Sequence, residues 1–327
     1  MESALKATND TFHPFRFLLH SNACDPRLPP SERPKLIIYI LSGLTTENFE
    51  YRQMIRRTYA SIGRSHGVRV EFSVGLPHPW TEPTRRNKTK MLDFQAVINE
   101  HNRYGDMLQA NFVDRYNNLV YKWWSYLSYY AEHCAHVPFA AAADEDTVLF
   151  VDRIQRYIEH NQQHLDGLVK ACSMIFINYT NPTIRQQGKY YVSEEQWPWP
   201  FLGHYCSGNF QMVNPMTAMA LLRAIPEVGV DYVTSFIIWD VPTGLVAAHA
   251  NVTLLQITGS AVVPYPPAAD VCDPTYLGQH GLRPLSMLET LWKLRQRCCL
   301  DATVPNAVGC IQRSTFPEST PSPAPPR

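Results

Sequence analysis

Asp144, Glu145 and Asp146 stand together directly after an apolar run that ends at Ala143. In extended backbone, side chains two positions apart project to the same side. Asp144 and Asp146 therefore suit a shared hard divalent cation, with a nucleotide diphosphate supplying further oxygen ligands. The same triplet also suits a plainer job, capping the helix that follows and solvating a turn. A second cluster, Arg52 with Arg56 and Arg57, lies at the first strand-to-helix junction, where helix N-terminal amides and guanidinium forks favour phosphate dianions. Arginines there also serve to solvate an outer helix face, and the residues alone leave both readings open. No GxGxxG, GxxxxGK[ST], GxSxG or HExxH pattern occurs, which disfavours ordinary dinucleotide, P-loop, serine hydrolase and zinc protease chemistry.

The elements that must position these groups read as an α/β chain. Lys35 to Leu41 predicts a buried strand, Ser42 to Thr46 a turn, Asn48 to Ile62 a helix and Val68 to Val74 a second strand. That β-α-β order implies a parallel sheet with a crevice at the carboxyl ends of its strands. Further along, Met91 to Tyr104 predicts a helix, Asp106 to Phe112 a strand, and Leu119 to His133 an aromatic-rich core helix. Val137 to Ala143 predicts the strand that delivers the acidic triplet, Val148 to His160 a helix, Met174 to Asn178 a strand and Thr217 to Ala224 a helix. Residues 1–34 read as a proline-punctuated arm, 35–312 as the catalytic body, and the Pro/Ser/Thr-rich residues 313–327 as a disordered tail.

Composition bounds the function. With 327 residues, 45% hydrophobic and a net charge of zero, the chain folds but offers no global attraction to a polyanion, so nucleic acid is not expected as a partner. No run approaches the roughly 20 apolar residues of a spanning helix, and Met1 to Asp10 lacks the layout of a signal peptide. Eight cysteines without a CxxC pair, and Asn-x-Ser/Thr patterns at Asn9, Asn87, Asn178 and Asn251, point the other way, toward a lumenal domain whose targeting segment is not in this sequence. Buried reduced cysteines are the alternative.

Placed in order, the blocks resemble the β-1,3-galactosyltransferase and β-1,3-N-acetylglucosaminyltransferase family of animal glycan synthesis. The blocks are His13 to Phe17 with Cys24, Phe49 to Tyr59, Tyr104 to Gln109, Phe112 to Lys122, and Ala143 to Asp146. They continue with Lys189 to Ser193, Tyr205-Cys-Ser-Gly208, Asp240-Val-Pro-Thr-Gly244, and His280 followed by Pro284, Met287 and Trp292. The resemblance implies a GT-A fold, with a Rossmann-like, mostly parallel central sheet flanked by helices. It implies an inverting transfer of a sugar, expected to be galactose, from a UDP-sugar to a glycan acceptor on glycoprotein or glycolipid.

By the same resemblance, Asp146, Asp144 and His280 would hold Mn²⁺, and Asp240 would be the general base. Arg52, Arg56, Asp144, Glu145 and Gly208 would contact the nucleotide sugar, and Trp197 and Trp199 would form the acceptor platform. Family members are Golgi proteins with an N-terminal membrane anchor, which this sequence does not show. Four departures are visible: Ala142 where the family has Lys, Glu145 where it has Asp, Trp239 where it has an acidic residue, and Val120 where it has Thr. They imply an altered donor pocket. The metal and base positions are kept, so the expectation is an active enzyme, with a catalytically weak or inactive glycan-binding relative as the alternative.

Overall fold

The apolar run at residues 36–41 becomes an inner strand of an eight-stranded sheet in the computed structural model. Described are residues 14–77, 92–177, 191–198, 201–236, 238–257, 260–261 and 270–298. The strands in chain order are β1 Phe17–Leu19, β2 Leu36–Leu41, β3 Val68–Leu76, β4 Met107–Val113, β5 Phe139–Asp144, β6 Val148–Leu149 and β7 Val169–Cys172. They continue with β8 Ile175–Phe176, β9 Tyr205–Cys206, β10 Phe210–Val213, β11 Thr253–Gln256, β12 Ser260–Ala261 and β13 Gly278–Gln279. The helices are α1 Thr46–Arg57, α2 Tyr59–Gly63, α3 Phe94–Tyr104, α4 Leu119–His133, α5 Val151–Leu165, α6 Pro215–Val228, α7 Val230–Ser235, α8 Asp240–His249 and α9 Leu285–Cys298.

The large sheet has the order β1-β4-β3-β2-β5-β10-β7-β11, and only β1 and β10 run against the other six strands. Alternation along β2 sorts its side chains to two cores. Leu36, Ile38 and Ile40 join α1, α2, α5 and α9 on one face, while Ile37, Tyr39 and Leu41 join α4, α6 and α8 on the other. The aromatic helix α4 is core, as its pattern predicts, with Trp123, Trp124 and Tyr130 fully enclosed. This is the mostly parallel α/β layout that the resemblance implies.

Three differences from the sequence reading have local causes. The first helix stops at Arg57 because Thr58 leaves helical backbone and its hydroxyl bonds back to the Met54 carbonyl at 2.8 Å. Val148 and Leu149 form β6 rather than a helix start, because Gln279 and Gly278 of β13 pair with them from far along the chain. In the described part of the expected arm, β1 extends the sheet by pairing with β4, and Cys24 is disulfide-bonded to Cys134 at the end of α4.

Two further disulfides join Cys172 to Cys206 and Cys272 to Cys298. The Cys24–Cys134 bridge spans 110 residues, the widest of the three. Replacing both its cysteines by serine is expected to lower unfolding free energy by roughly 2–5 kcal/mol, through the loop entropy returned to the unfolded chain. Denaturant titration of the double variant checks this. The expected tail at 313–327, with Cys299 and Cys310, lies outside the described residues.

Candidate metal and donor site

The site begins at the turn between β2 and α1. Thr45 caps α1, its hydroxyl accepting the Asn48 N–H at 3.2 Å while the Asn48 side chain accepts the Thr45 N–H at 2.9 Å. Gly43 is needed beneath it, since a Cβ there would come within 2.5 Å of the Asn48 side chain. The Asn48 amide nitrogen then donates to Glu145, which also accepts from Ser42 Oγ at 2.9 Å. The α1 N-terminus is thereby tied to the acidic triplet at the end of β5.

Beneath this turn runs a buried charge network. Arg52 donates twice to Glu100, at 2.8 and 2.7 Å, and also to Ser42 Oγ at 2.9 Å and to the Gly43 carbonyl at 2.5 Å. Arg56 forks onto Asp106 with two 2.7 Å bonds and reaches Glu100 at 2.7 Å, stacked over the Tyr104 ring at 4.0 Å. Burial works against the Glu100 charge, yet the two guanidiniums outweigh it and lower its pKa. Lys122 donates to the Ser42 carbonyl and pairs with Asp114 at 2.8 Å, and Asp114 in turn accepts the Gly75 N–H at 2.7 Å. The structure thus places Arg52 and Arg56, expected to face the nucleotide, under the loop as its supports.

Asp144, Asp146 and His280 converge, with one ligand atom from each lying within 4.8 Å of the others. His280 Nε2 is 3.4 Å from Asp144 Oδ2 and 3.3 Å from Asp146 Oδ1. The other Asp146 oxygen accepts from Arg283 Nε at 2.7 Å, leaving Oδ1 directed at the cluster. Burial raises the Asp146 pKa, but His280 and Arg283 outweigh it and hold the carboxyl at about 2. Burial opposes the His280 charge as well, yet the two carboxylates push its pKa up to about 10. Two carboxylates facing one imidazole make the cluster a place that favours positive charge. Two carboxylates and one imidazole form an oxygen and nitrogen donor set that fits a divalent cation such as Mn²⁺. Glu145, by contrast, is turned toward Ser42 and Asn48 and is not part of the cluster.

Asp240 opens α8. Its carboxylate is near enough to Asp144 to feel that charge, and it faces the backbone of Gly208, two residues before the Phe210 that pairs with Ala143. Gly208 must be glycine, since a Cβ would sit 2.7 Å from the Trp239 indole. Trp239 itself is packed into the core on the α4 face. At the other side of α8, Gly244 lets the helix abut β9, where a Cβ would meet the His204 carbonyl at 2.4 Å. Burial is the largest influence on Asp240; with help from the Asp144 charge it raises the carboxyl pKa to about 6 against the lowering effect of its own N–H, Gly208 and Lys170.

Trp197 does not present the exposed face that an acceptor platform needs. It is 3% exposed, donates to the Phe201 carbonyl at 2.7 Å, and packs edge-on to Phe236 in a small cluster with Val192, Leu202 and Tyr205. One edge lines a cavity of about 370 Å³ with Val228, Tyr232, Leu245 and His249. Trp199 lies outside the described residues. The sequence reading assigned no role to Arg283, Asn48 or Lys170, which belong to no spacing pattern, and it named Lys122 only as the end of a family block; the folded arrangement brings all four to the site.

A galactosyltransferase family profile matches residues 50–255 of this chain. Rat lactosylceramide 1,3-N-acetyl-β-D-glucosaminyltransferase is 26% identical over 241 residues, covering 71% of this chain and 59% of its own length. Human acetylgalactosaminyl-O-glycosyl-glycoprotein β-1,3-N-acetylglucosaminyltransferase is 30% identical over 184 residues, covering 54% of this chain and 44% of its own length. Human β-1,3-galactosyltransferase 4 is 24% identical over 293 residues, covering 81% and 74%. The chain spans 59–65% of the length of the rat, zebrafish and human lactosylceramide 1,3-N-acetyl-β-D-glucosaminyltransferases that it matches. A solved galactosyltransferase, LgtC with donor and acceptor sugar analogues, aligns over 84% of this chain and 98% of that chain at 11% identity, with a TM-score of 0.39 that supports no argument. The profile match covers more than half of the 327 residues and holds the acidic triplet and Asp240, and the chain belongs to the galactosyltransferase family.

Proposed function

We propose that this chain moves a hexose from a UDP-sugar to a carbohydrate hydroxyl with inversion, building a β-1,3 linkage on glycoprotein or glycolipid glycans. The observation that carries the reading is the convergence of Asp144, Asp146 and His280 at the carboxyl end of β5, with Asp240 near enough to feel the Asp144 charge. Asp240 takes the proton of the acceptor hydroxyl as that oxygen attacks the anomeric carbon. A divalent cation held by Asp144, Asp146 and His280, Mn²⁺ in this reading, would supply charge stabilisation for the departing UDP. The α1 N-terminus, fixed by Thr45, Asn48 and Glu145, offers its amides to the same phosphates. One base and one displacement suffice for inversion.

The donor sugar is the open choice within this reading. The family's name favours galactose, whereas two of the relatives above are named for N-acetylglucosamine transfer. The test is UDP release by purified chain with Mn²⁺ or EDTA, offering UDP-galactose, UDP-N-acetylglucosamine or UDP-glucose to lactose and other β-linked acceptors. Acceptor-dependent release from one donor, lost in EDTA, is the expected result. Binding of UDP without turnover of any donor would overturn it in favour of a non-catalytic glycan-binding relative.

We place the protein in the Golgi lumen. Three disulfides support an oxidising compartment. No helix among the described residues is long and apolar enough to cross a membrane, and the mode of membrane attachment is no part of the reading. Asn251 lies exposed in the turn between α8 and β11, in an Asn-x-Thr pattern. In a secreted form, Asn251→Gln is expected to remove one glycan, seen as a mobility change that glycosidase treatment erases. Unchanged mobility would remove that support.

A further inference from the structure

We propose that Arg153 is a positioning residue for His280, its guanidinium gripping the main chain of the loop that presents the imidazole to the cluster. The inference rests on the reading of Asp144, Asp146 and His280 as a cation site.

The segment that follows β5 carries two of the three cluster groups, and it also holds the third. Contacts between this segment and the one bearing His280 run in order along both. The Asp146 carbonyl accepts the Leu282 N–H at 2.9 Å. Val148 and Leu149 of β6 pair with Gln279 and Gly278 of β13. The Phe150 N–H then donates to the Leu277 carbonyl at 2.8 Å. Arg153, in the first turn of α5, continues the strip beyond the reach of backbone pairing. Its Nη1 donates to the Asp273 carbonyl at 2.6 Å and the Tyr276 carbonyl at 2.9 Å, and its Nη2 to the Val271 carbonyl at 3.0 Å.

A guanidinium that is 2% exposed is costly to bury unless its donors are used. Among the described residues the Arg153 hydrogen bonds go to main-chain carbonyls, while the neighbouring Asp152 pairs with Arg295 of α9 at 2.7 Å. The Phe150 ring, 4.7 Å from the guanidinium carbon, covers one side of it. One rigid planar fork therefore fixes three carbonyls spread over six residues of irregular chain. From Tyr276 the order passes on through side chains. Its hydroxyl donates to the Gln279 side-chain oxygen, and the Gln279 amide donates to the His280 carbonyl at 3.0 Å. The line of contacts runs from the helix after the acidic triplet to the residue that completes the cluster.

The test uses Arg153→Met, which keeps the stem and removes every donor, and Arg153→Lys, which keeps a charge but lacks the fork. The Cys272–Cys298 bridge and the pairing of β13 with β6 and β12 remain, so both variants are expected to fold, and melting temperature checks it. In cation-free protein, amide exchange followed by mass spectrometry should quicken roughly tenfold over residues 271–282 in Arg153→Met, with β2 and α4 unchanged. The Mn²⁺ dissociation constant, read from the EPR signal of free Mn²⁺ at saturating UDP, should rise about tenfold in Arg153→Met and less in Arg153→Lys. In a His280→Ala background, Arg153→Met should weaken Mn²⁺ no further, because the two changes remove the same contribution. Wild-type loop exchange or wild-type Mn²⁺ affinity in Arg153→Met overturns the proposal, as does a loss that adds in full to that of His280→Ala. Wild-type Mn²⁺ affinity in His280→Ala alone would instead sink the cation reading, a failure visible without any change at Arg153.

Discussion

In Asp240→Asn, turnover is expected to fall by a factor on the order of 10²–10⁴ while UDP binds as before. The amide keeps the size of the carboxylate, so the first turn of α8 is expected to stay in place. It has no basicity to take the acceptor's proton. Asp240 is not one of the three groups that converge for a cation, so donor binding is expected to survive. The pH profile gives the same residue a second signature. A base works deprotonated, and this one has its pKa raised to about 6. Activity is therefore present above that value and lost as the pH falls through it, about tenfold per unit once the carboxyl is mostly protonated. An acidic limb at the ordinary aspartate value near 3.9 would show that Asp240 does not carry the proton.

Asp146→Ala is expected to fail earlier, at the donor. Its Oδ1 faces His280 at 3.3 Å and its Oδ2 anchors Arg283 at 2.7 Å, so the change removes one of three ligand groups and frees a cationic side chain next to the remaining two. Mn²⁺-dependent UDP binding should disappear in calorimetry. Turnover should fall by about a thousandfold or more, since the cation's stabilisation of a leaving diphosphate amounts to several kcal/mol and each tenfold is about 1.4 kcal/mol. Mn²⁺-dependent UDP affinity equal to wild type would remove Asp146 from the metal site. The two variants thus separate donor capture from acceptor activation, one losing both and the other losing only the second.

The elements that carry local patterns were legible before any coordinates. The β2 run, the α4 aromatics and the β5 strand leading into the acidic triplet all depend on periodicity within a few residues, and they fold as read. The short strands β6, β7 and β13 were not legible, because two or four residues carry no period and their pairing partners lie elsewhere in the chain. Among site residues, Asp144 and Asp146 stand out by spacing, whereas His280 looks like any of twelve histidines and was reached only through family resemblance. Arg52 and Arg56 show the limit of charge as a guide. Two arginines at a strand-to-helix turn look the same in sequence whether they face a ligand or brace the loop, and in the fold both are paired with Glu100 or Asp106 beneath the turn. Trp197 is the same lesson for aromatics, buried beside Tyr232 and Phe236.

The cation cluster joins Asp144 and Asp146 to His280 across more than a hundred residues of sequence. During synthesis the two carboxylates leave the ribosome that far ahead of the imidazole, so a nascent chain cannot hold the three groups together until His280 has emerged. Cation affinity therefore arises late in folding, and a cation that binds only the folded form stabilises it by mass action once the segment carrying His280 has docked.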